Sequence, residues 1–421
     1  MNPAARVWRT WRVARTGVYI WAIYKIPAWT RRLLGRPTPD LDPTHARAAR
    51  AVLACALDMR GVIIKVCQAV ATRADVFPKP FVDILKQCHD AVPPRDFPVV
   101  KAVIEEQLGK PLDAVFSEFD ERALASASLA QVHRARLHDG REVAVKIQYP
   151  GLDELVDSDL SNVRRACRVY EYFDPQPIEM LPLLTEITNH LAMELDFCRE
   201  ADNADRVRAI FPPGHGVVVP EVYRDWSSKK VLTMQLVDGM KITDKQALEA
   251  AGLDLELVVQ DLMQIFVRMI FAAGFFQADP HPGNLMVQKN RDIVVLDYGL
   301  SKELPEGFGM GLFELMFSMM TVNESAMVRA FTELGFRTAD DDTSVLLMIA
   351  RRMIGRSDTG KFEGEFTEEM TDELFEAIRE NPLVDVPTDF VLVGRVFSFL
   401  SGIAHTLGHR ANVLAAMGAS T

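Results

Sequence analysis

Asp279 is followed five residues later by Asn284, and a second carboxylate, Asp297, stands thirteen beyond that, at the end of the apolar run Ile293-Val294-Val295-Leu296. Two carboxylates and a carboxamide at this spacing suit a magnesium ion that is itself bound to phosphate. Magnesium is a hard cation that takes one or two carboxylates plus phosphate oxygens and keeps several waters, so the protein supplies few ligands. The segments read Ala278-Asp-Pro-His-Pro-Gly-Asn284 and Leu296-Asp-Tyr-Gly299, both expected on loops at strand edges. Phosphate also calls for a cation. Lys146, at the end of Val143-Ala-Val-Lys146, is placed to meet the α and β phosphates, and Glu200 is the best candidate for the helix glutamate that orients it. His281, flanked by two prolines, reads as structural and not as a general base.

The elements that must carry these residues follow from periodicity. A period of two over Leu129 to Leu137, the turn His138-Asp139-Gly140 and Arg141 to Gln148 predict a hairpin. On its second strand Val143, Val145 and Ile147 point one way, while Ala144 and Lys146 point the other. Before it, residues 46–74 read as one long helix, Phe81 to His89 as a second, and Val99 to Leu108 as a third that stops at Gly109. After it, helical patterns cover Leu152 to Tyr172 and Leu181 to Phe211, and strands are expected at Val217 to Val222 and Lys230 to Val237. Met234 would then lie behind an adenine ring whose edge bonds the backbone of Gln235 and Val237. Beyond Asp238-Gly239 the chain reads as helical except for the loop at 278–284 and short strands near Leu285 to Val287 and 293–296.

Composition narrows the class. The 421 residues, 48% apolar and 25% charged, suit a globular chain of two or three lobes. Five cysteines without a CxxC pair fit a reducing compartment with neither a disulfide framework nor zinc. The net charge of −11 conceals an asymmetry: residues 1–39 carry eight Lys/Arg and no acid, leaving 39 bases against 58 acids for the remainder. An acidic body excludes nucleic acid as a partner, since such binding rests on cationic surface. The basic arm also holds Trp8, Trp11, Trp21 and Trp29, four of the five tryptophans. Cations interleaved with indoles suit an anionic headgroup layer, while docking on the acidic body and an organelle transit peptide stand as alternatives. No transmembrane helix is expected: Gly17 to Trp29 is short and interrupted by Lys25, Leu262 to Phe276 contains Arg268, and Phe390 to Ile403 contains Arg395.

Lys146, Asp279, Asn284 and Asp297, in that order, have the spacing of a protein-kinase-like catalytic set, with Tyr298 in the Phe place of an Asp-Phe-Gly element. Further motifs over residues 55–300 resemble the UbiB/AarF (ABC1 kinase-like) family of atypical kinase-like proteins. Its Lys-x-Gly-Gln motif is similar to Lys65-Val-Cys-Gln68, followed by Thr72-Arg73 and Asp75 to Pro78. Its Ala-rich phosphate loop resembles Ala125-Ser126-Ala127-Ser128-Leu-Ala130-Gln-Val-His133, and its Glu-x-Asp motif resembles Glu194-Leu-Asp196 with Glu200-Ala201 downstream. The resemblance implies that Lys65 and Gln68 meet Glu194 and Asp196, covering the place where a kinase holds a protein substrate, while Glu200 remains for Lys146. Read as helix positions, Asp196 and Glu200 share a face. Cys67 departs from the family's glycine, and Ala130 stands where some members carry glycine. No Ala-Pro-Glu follows Gly299, so a peptide platform is missing and protein-kinase activity is not expected.

The expected fold is α+β, a protein-kinase-like two-lobe fold with an N-terminal helical extension and a helical C-terminal tail. Its expected divisions are a basic aromatic arm (1–43), a family-specific helical extension (44–110), an N-lobe with a helical insert (111–238) and a helical C-lobe and tail (239–421). The expected function is that of an ATP-dependent phosphotransferase or ATPase using ATP and Mg²⁺, in which the resemblance implies a link to isoprenoid lipid or quinone metabolism at a membrane surface. Asp279, Lys65 and Gln68 are assigned to catalysis. Ala125, Ser126, Ala127, Ser128, Ala144, Lys146, Glu200, Gln235 and Val237 are assigned to the nucleotide, and Asn284 and Asp297 to metal. Expected partners are nucleotide, an anionic membrane surface and an isoprenoid or phenolic lipid, with the chain in the cytoplasm, peripheral at the inner face of a membrane. A soluble small-molecule phosphotransferase and a non-catalytic nucleotide-sensing scaffold are the rival readings.

Overall fold

The computed structural model describes residues 3–34, 41–59, 61–71, 77–88, 94–127, 129–173, 193–212, 214–337, 343–354 and 386–418, with isolated positions between 181 and 191. The chain forms two compact units, one of residues 1–198 with 223–235, the other of 199–222 with 236–421.

The first unit is built on an antiparallel sheet in the order β1-β2-β3-β5, from β1 (Phe116–Ser126), β2 (Ala130–Leu137), β3 (Glu142–Gln148) and β5 (Val231–Gln235). The β2–β3 hairpin is present with its turn at Asp139-Gly140, where Gly140 takes φ 88° and Asp139 Oδ1 accepts from Arg141 N. Only glycine reaches that region at no cost. Val143, Val145 and Ile147 are buried in a core with Val100, Val103 and Ile104 of α5 (Phe97–Leu108) and Leu112 and Val115 of the short α6 (Leu112–Val115). Lys146 is half-buried on the opposite face, registered against Val132 and Leu232.

Ahead of the sheet lie α1 (Pro3–Leu33), α2 (Asp42–Met59), α3 (Val62–Ala71) and α4 (Lys79–Leu85), and after the hairpin comes α7 (Leu152–Phe173). The expected single helix over 46–74 is two helices, because Gly61 adopts φ 59° between α2 and α3. The second turn lets Ile63, Ile64 and Cys67 fold back onto Cys55, Ala56, Met59 and Leu85. Asp75, His89 and the other expectations for 72–76 and 89–93 lie outside the described residues.

Helix α1 docks within this unit along one side. Arg9 is buried, donating from Nη1 to Met59 O at 2.8 Å and pairing through Nε and Nη2 with the fully buried Asp159 of α7. Arg12 pairs with Asp58, and Tyr24 bonds His45 at 2.6 Å. The docking reading of the basic arm therefore holds for this face, while Trp8, Trp11, Val18, Tyr19, Ile26 and Trp29 stay exposed.

The second unit contains a four-stranded sheet in the order β4-β9-β8-β6 and a two-stranded pair β7-β10. The strands are β4 (Val217–Val218), β6 (Met240–Lys241), β7 (Phe275–Gln277), β8 (Leu285–Val287), β9 (Ile293–Val295) and β10 (Ser301–Glu303). The sequence reading anticipated β8 and β9 but not β6, β7 or β10, which are equally short and which no separate apolar run sets off from their surroundings. Helix α8 (Phe197–Ile210) starts at Phe197, not within a helix running from Leu181: Leu195 and Asp196 form a turn, and Asp196 Oδ1 accepts from Cys198 N at 3.0 Å. Asp196 thus caps the helix and does not share a helical face with Glu200, in keeping with the preference of Asp for helix starts over interiors.

Among the described residues, the remaining helices are α9 (Lys245–Ala250), α10 (Leu255–Val267), α11 (Phe308–Met320), α12 (Glu324–Leu334), α13 (Ser344–Ile354), α14 (Thr388–Leu407) and α15 (Val413–Gly418). Asp254 starts α10 by accepting from Glu256 N and Leu257 N. A wide π turn at Arg268–Ala272 ends it, and Gly309 of α11 sits so close that an added Cβ would lie 3.1 Å from both Ile270 O and Phe271 O. Among the described residues, α14 alone is long and apolar enough to cross a membrane by length and composition. Here its Phe390 packs edge-on against Phe336 at 4.9 Å, and Val396, Phe397 and Leu400 are buried, as in the core helix of a globular unit.

The Arg9–Asp159 pair is a buried ion pair that joins α1 to α7. Removing one partner leaves a buried charge uncompensated, at about 3–5 kcal/mol. Arg9→Met is expected to lower the urea midpoint accordingly. A loss under about 1 kcal/mol, the range of an exposed pair, would show that α1 does not dock through this residue.

Candidate functional site

The loop that carries Asp279 is tied down from both ends. Strand β7 leads into buried Ala278, whose N–H donates to Leu300 O at 2.8 Å. Three donors then converge on the Asp279 carbonyl: Gln277 Nε2 at 2.6 Å, His281 N at 2.7 Å and Asn284 Nδ2 at 3.3 Å. The proline-bounded His281 accepts from Gly283 N through Nδ1 at 3.1 Å, so its ring shapes the turn Pro282–Asn284.

Asn284 and Asp297, thirteen residues apart, become neighbours through one backbone bond, Leu296 N to Asn284 O at 2.9 Å. The bond extends the β8–β9 ladder, in which Leu285 faces Val295. Asn284 gives its amide nitrogen to the Asp279 carbonyl, which turns its oxygen, the harder donor, away from that bond. Asp297 Oδ1 accepts from Gly299 N at 2.9 Å. A β-carbon at Gly299 would lie 3.2 Å from Asp297 Oδ1 and 3.9 Å from Glu200 Oε2, so the buried Glu200 carboxylate reaches the same turn.

No group of three or more His, Cys, Asp or Glu among the described residues has the geometry to hold a metal by itself. One carboxylate and one amide oxygen instead fit a hard cation that brings phosphate oxygens with it.

Tyr298 replaces the expected Phe with a buried ring whose hydroxyl donates to Val295 O at 2.7 Å, while its carbonyl accepts from Asn203 Nδ2 at 2.9 Å. Burial pushes the phenol well above its usual range, and the Asp297 and Glu200 charges push the same way against Arg208.

In the first unit, Lys146 Nζ lies 5.1 Å from the centre of the Phe197 ring, with half-buried Ala144 two residues earlier on the same face of β3. Ala125 and Ser126 close the end of β1 opposite Val132 and Gln131. Ala127 N donates to Ala130 O, and Ser126 Oγ bonds Tyr149 OH at 2.7 Å. Ser128 lies outside the described residues. Gln235 ends β5 opposite Val143, and Met234, nearly buried, faces Ala144; Val237 follows in the second unit. Lys65 Nζ is 3.3 Å from Glu194 Oε2, both side chains about three-quarters buried, and Gln68 Nε2 donates to Cys88 O at 3.0 Å. Cys67, where the resemblance has glycine, is buried, and its thiol is pushed up by the Cys88 thiol beside it and by burial.

Three groups around Asp279 and Asp297 were not anticipated from sequence: Gln277, Asn203 and Arg395, whose Nη2 lies 3.0 Å from Asp279 Oδ1. Arg395 did leave a signal, as a lone cation inside an apolar helix, where a charge needs a partner.

The buried phenol predicts a measurable pH response. Above about pH 10 the unfolded tyrosine ionises while the folded one keeps its proton, so stability falls as pH rises. Tyr298→Phe lacks that component and loses about 1 kcal/mol at neutral pH with the hydroxyl's hydrogen bond. In urea melts its deficit is therefore expected at pH 8 and should shrink by pH 10.5; a constant deficit would contradict burial of the phenol.

The ABC1 atypical kinase-like domain matches residues 87–331, beginning beyond Lys65 and Gln68. AarF domain-containing protein kinase 1 of Xenopus tropicalis is 31% identical, over 87% of this chain and 72% of its own length. The Arabidopsis thaliana chloroplast protein Activity of BC1 complex kinase 7 is 33% identical over 83% of this chain, which spans about half (51%) of that relative. The solved structure of Rv3197 of Mycobacterium tuberculosis, a complex with erythromycin, superposes with a TM-score of 0.63 at 24% identity, covering 88% of this chain and 94% of that one. The fold is thus α+β and protein-kinase-like, with two lobes, a helical N-terminal extension and a helical C-terminal tail. The chain belongs to the ABC1 (UbiB/AarF) family of atypical kinase-like proteins.

Proposed function

We propose that this kinase-like, ATP-using protein binds ATP with Mg²⁺ and cleaves it, passing the phosphoryl group to water or to a small hydroxylated acceptor. The observation that carries the reading is the bond from Leu296 N to Asn284 O, which sets the two candidate metal ligands beside the loop of Asp279. In this reading Asn284 and Asp297 hold the metal and Lys146 neutralises phosphate charge. Ala125, Ser126, Ala127, Ser128 and Ala144 border the triphosphate, and the backbone of Gln235 and Val237 bonds the adenine edge. Glu200 completes the charge set at the Asp297–Gly299 turn. Asp279 orients the attacking hydroxyl and accepts its proton. The metal, when bound, supplies charge neutralisation between phosphate oxygens.

The segment after Gly299 favours a small acceptor over a peptide. Ser301–Glu303 pairs back onto Phe275–Gln277, and the chain enters α11 at Phe308 without room for a peptide platform. Lys65 and its partner Glu194 are assigned, with Gln68 and Asp196, to closing off the acceptor side.

In this reading the protein works in isoprenoid or quinone metabolism at a membrane surface, and α1 supports the membrane part. Trp8, Trp11, Val18, Ile26 and Trp29 project within an arc of about 100° on a 3.6-residue helix, opposite the docked Arg9, and are 44–66% exposed. Arg15 stacks over Trp11 at 5.3 Å. Indoles and cations on one free face suit an anionic headgroup layer.

Asp297→Asn should abolish Mg-ATP binding in a thermal-shift titration, whereas Asp279→Asn should keep binding and reduce kcat by at least about 10²-fold. Unchanged affinity in Asp297→Asn would sink the reading. Binding without turnover in the wild type would favour the nucleotide-sensing scaffold.

A variant with Trp8, Trp11 and Trp29 changed to Ser should bind anionic vesicles at least about tenfold more weakly, since each buried aromatic contributes kcal/mol-scale affinity, with an unchanged melting temperature. Co-sedimentation equal to the wild type would remove the membrane role of α1. Stimulation of turnover by such vesicles or by a phenolic quinone-precursor mimic separates the lipid-linked reading from a soluble phosphotransferase.

A further inference from the structure

Arg395 stands between Val393 and Val396, both buried, on the apolar helix α14, 116 residues after the loop it touches. Its Nη2 donates to Asp279 Oδ1 at 3.0 Å, with side-chain exposures of 25% and 33%. The guanidinium lies 5.4 Å over the ring of Phe399, and that ring meets His281 edge-on at 6.1 Å. Residues 395 and 399, one turn apart, therefore grip the loop at two points, the Asp279 carboxylate and the His281 ring. Arg395 Nε is buried with no hydrogen-bond partner among the described groups. A donor left unsatisfied in an apolar helix costs stability, so packing alone does not account for an arginine here.

The Asp279 backbone is already fixed by Gln277, His281 and Asn284 through its carbonyl. What those bonds leave open is the rotation of the carboxylate. We propose that Arg395 is a positioning residue for the phosphoryl transfer proposed above: by engaging Oδ1 it settles which carboxylate oxygen, Oδ2, is presented to the acceptor hydroxyl. Arg395 touches no reacting atom in this account and acts through Asp279. The inference rests on the proposed function, because it has meaning only if Asp279 serves turnover.

The test uses the full chain and Mg-ATP turnover of Arg395→Met, Arg395→Lys, Asp279→Asn and the double variant. A carboxylate free to rotate loses productive geometry while nucleotide contacts persist, so Arg395→Met should lower kcat about 10- to 100-fold with KM for Mg-ATP changed less than about twofold. Arg395→Lys, which restores charge without the planar fork, should recover part of that loss. Because Arg395 acts through Asp279, the double variant should turn over no more slowly than Asp279→Asn alone. Wild-type kcat in Arg395→Met, or losses that multiply in the double variant, would overturn the assignment. So would a fall in melting temperature with kcat per folded molecule unchanged, which marks a purely structural tie. Should Arg395→Met fail to fold, Arg395→Lys decides alone: reduced kcat at unchanged KM supports the assignment and wild-type kcat overturns it. A wild-type chain that cleaves no ATP removes the proposed function and this inference together, whereas robust turnover with unaltered Arg395 variants removes only the latter.

Discussion

A backbone hydrogen bond, from Leu296 N to Asn284 O, ties together the candidate site of the second unit. It prolongs the β8–β9 ladder past the last formal strand residues, so the geometry of a sheet dictates how far Asn284 stands from Asp297. Sheet registers are stiff, since a slip of one residue would take Leu285 and Val287 off the buried face of β8 and repack β9, whose Ile293, Val294 and Val295 are all buried. The burial of those side chains is thus what holds a carboxylate and a carboxamide in fixed relation. The polar layer above is tuned locally, with Gln277, His281 and Asn284 sharing one carbonyl and Gly299 leaving space for the Asp297 carboxylate.

The first unit solves a related problem with different means. In the proposed reading Lys146 meets anionic phosphate from a strand whose alternate residues are packed on α5, and strict alternation on β3 puts it on the other face. The helical extension in front of the sheet depends on buried charge as well as on apolar packing. Arg9 satisfies both Asp159 and the carbonyl at the end of α2, which otherwise would be orphaned in the interior. That docking fixes the rotation of α1 and with it the side on which its tryptophans stand exposed. A helix with one face spent on its own protein and the other apolar and unspent has a defined orientation toward whatever it meets.

The motifs were legible because they depend on residue type and spacing over short range: Asp279 to Asn284, Asp297 to Gly299, Lys65 to Gln68, and the alternating hairpin around Asp139-Gly140. Helix breaks were less legible. Gly61 ends a helix here while many helix glycines do not, and the difference lies in whether Ile63 and Cys67 have a core to fold back on. Asp196 reads as a helix residue beside Glu200 by spacing, yet it caps α8, because the polar side chain competes for the first free N–H groups. Strands as short as β6, β7 and β10 carry no periodic signal at all, and they exist because partners distant in the chain pair with them.

By itself, the order of residues determined the reaction class to consider, the family and the alternation that singles out Lys146, since each rests on local pattern. Tertiary structure decided which partners complete the site. Gln277 and Asn203 are unremarkable in sequence, and Arg395 announces only that a cation sits in an apolar helix. The partner of that cation, 116 residues away, is a matter of how α14 packs. Local propensities cannot encode such a pairing, because its free energy exists only once both segments have been buried against a common core.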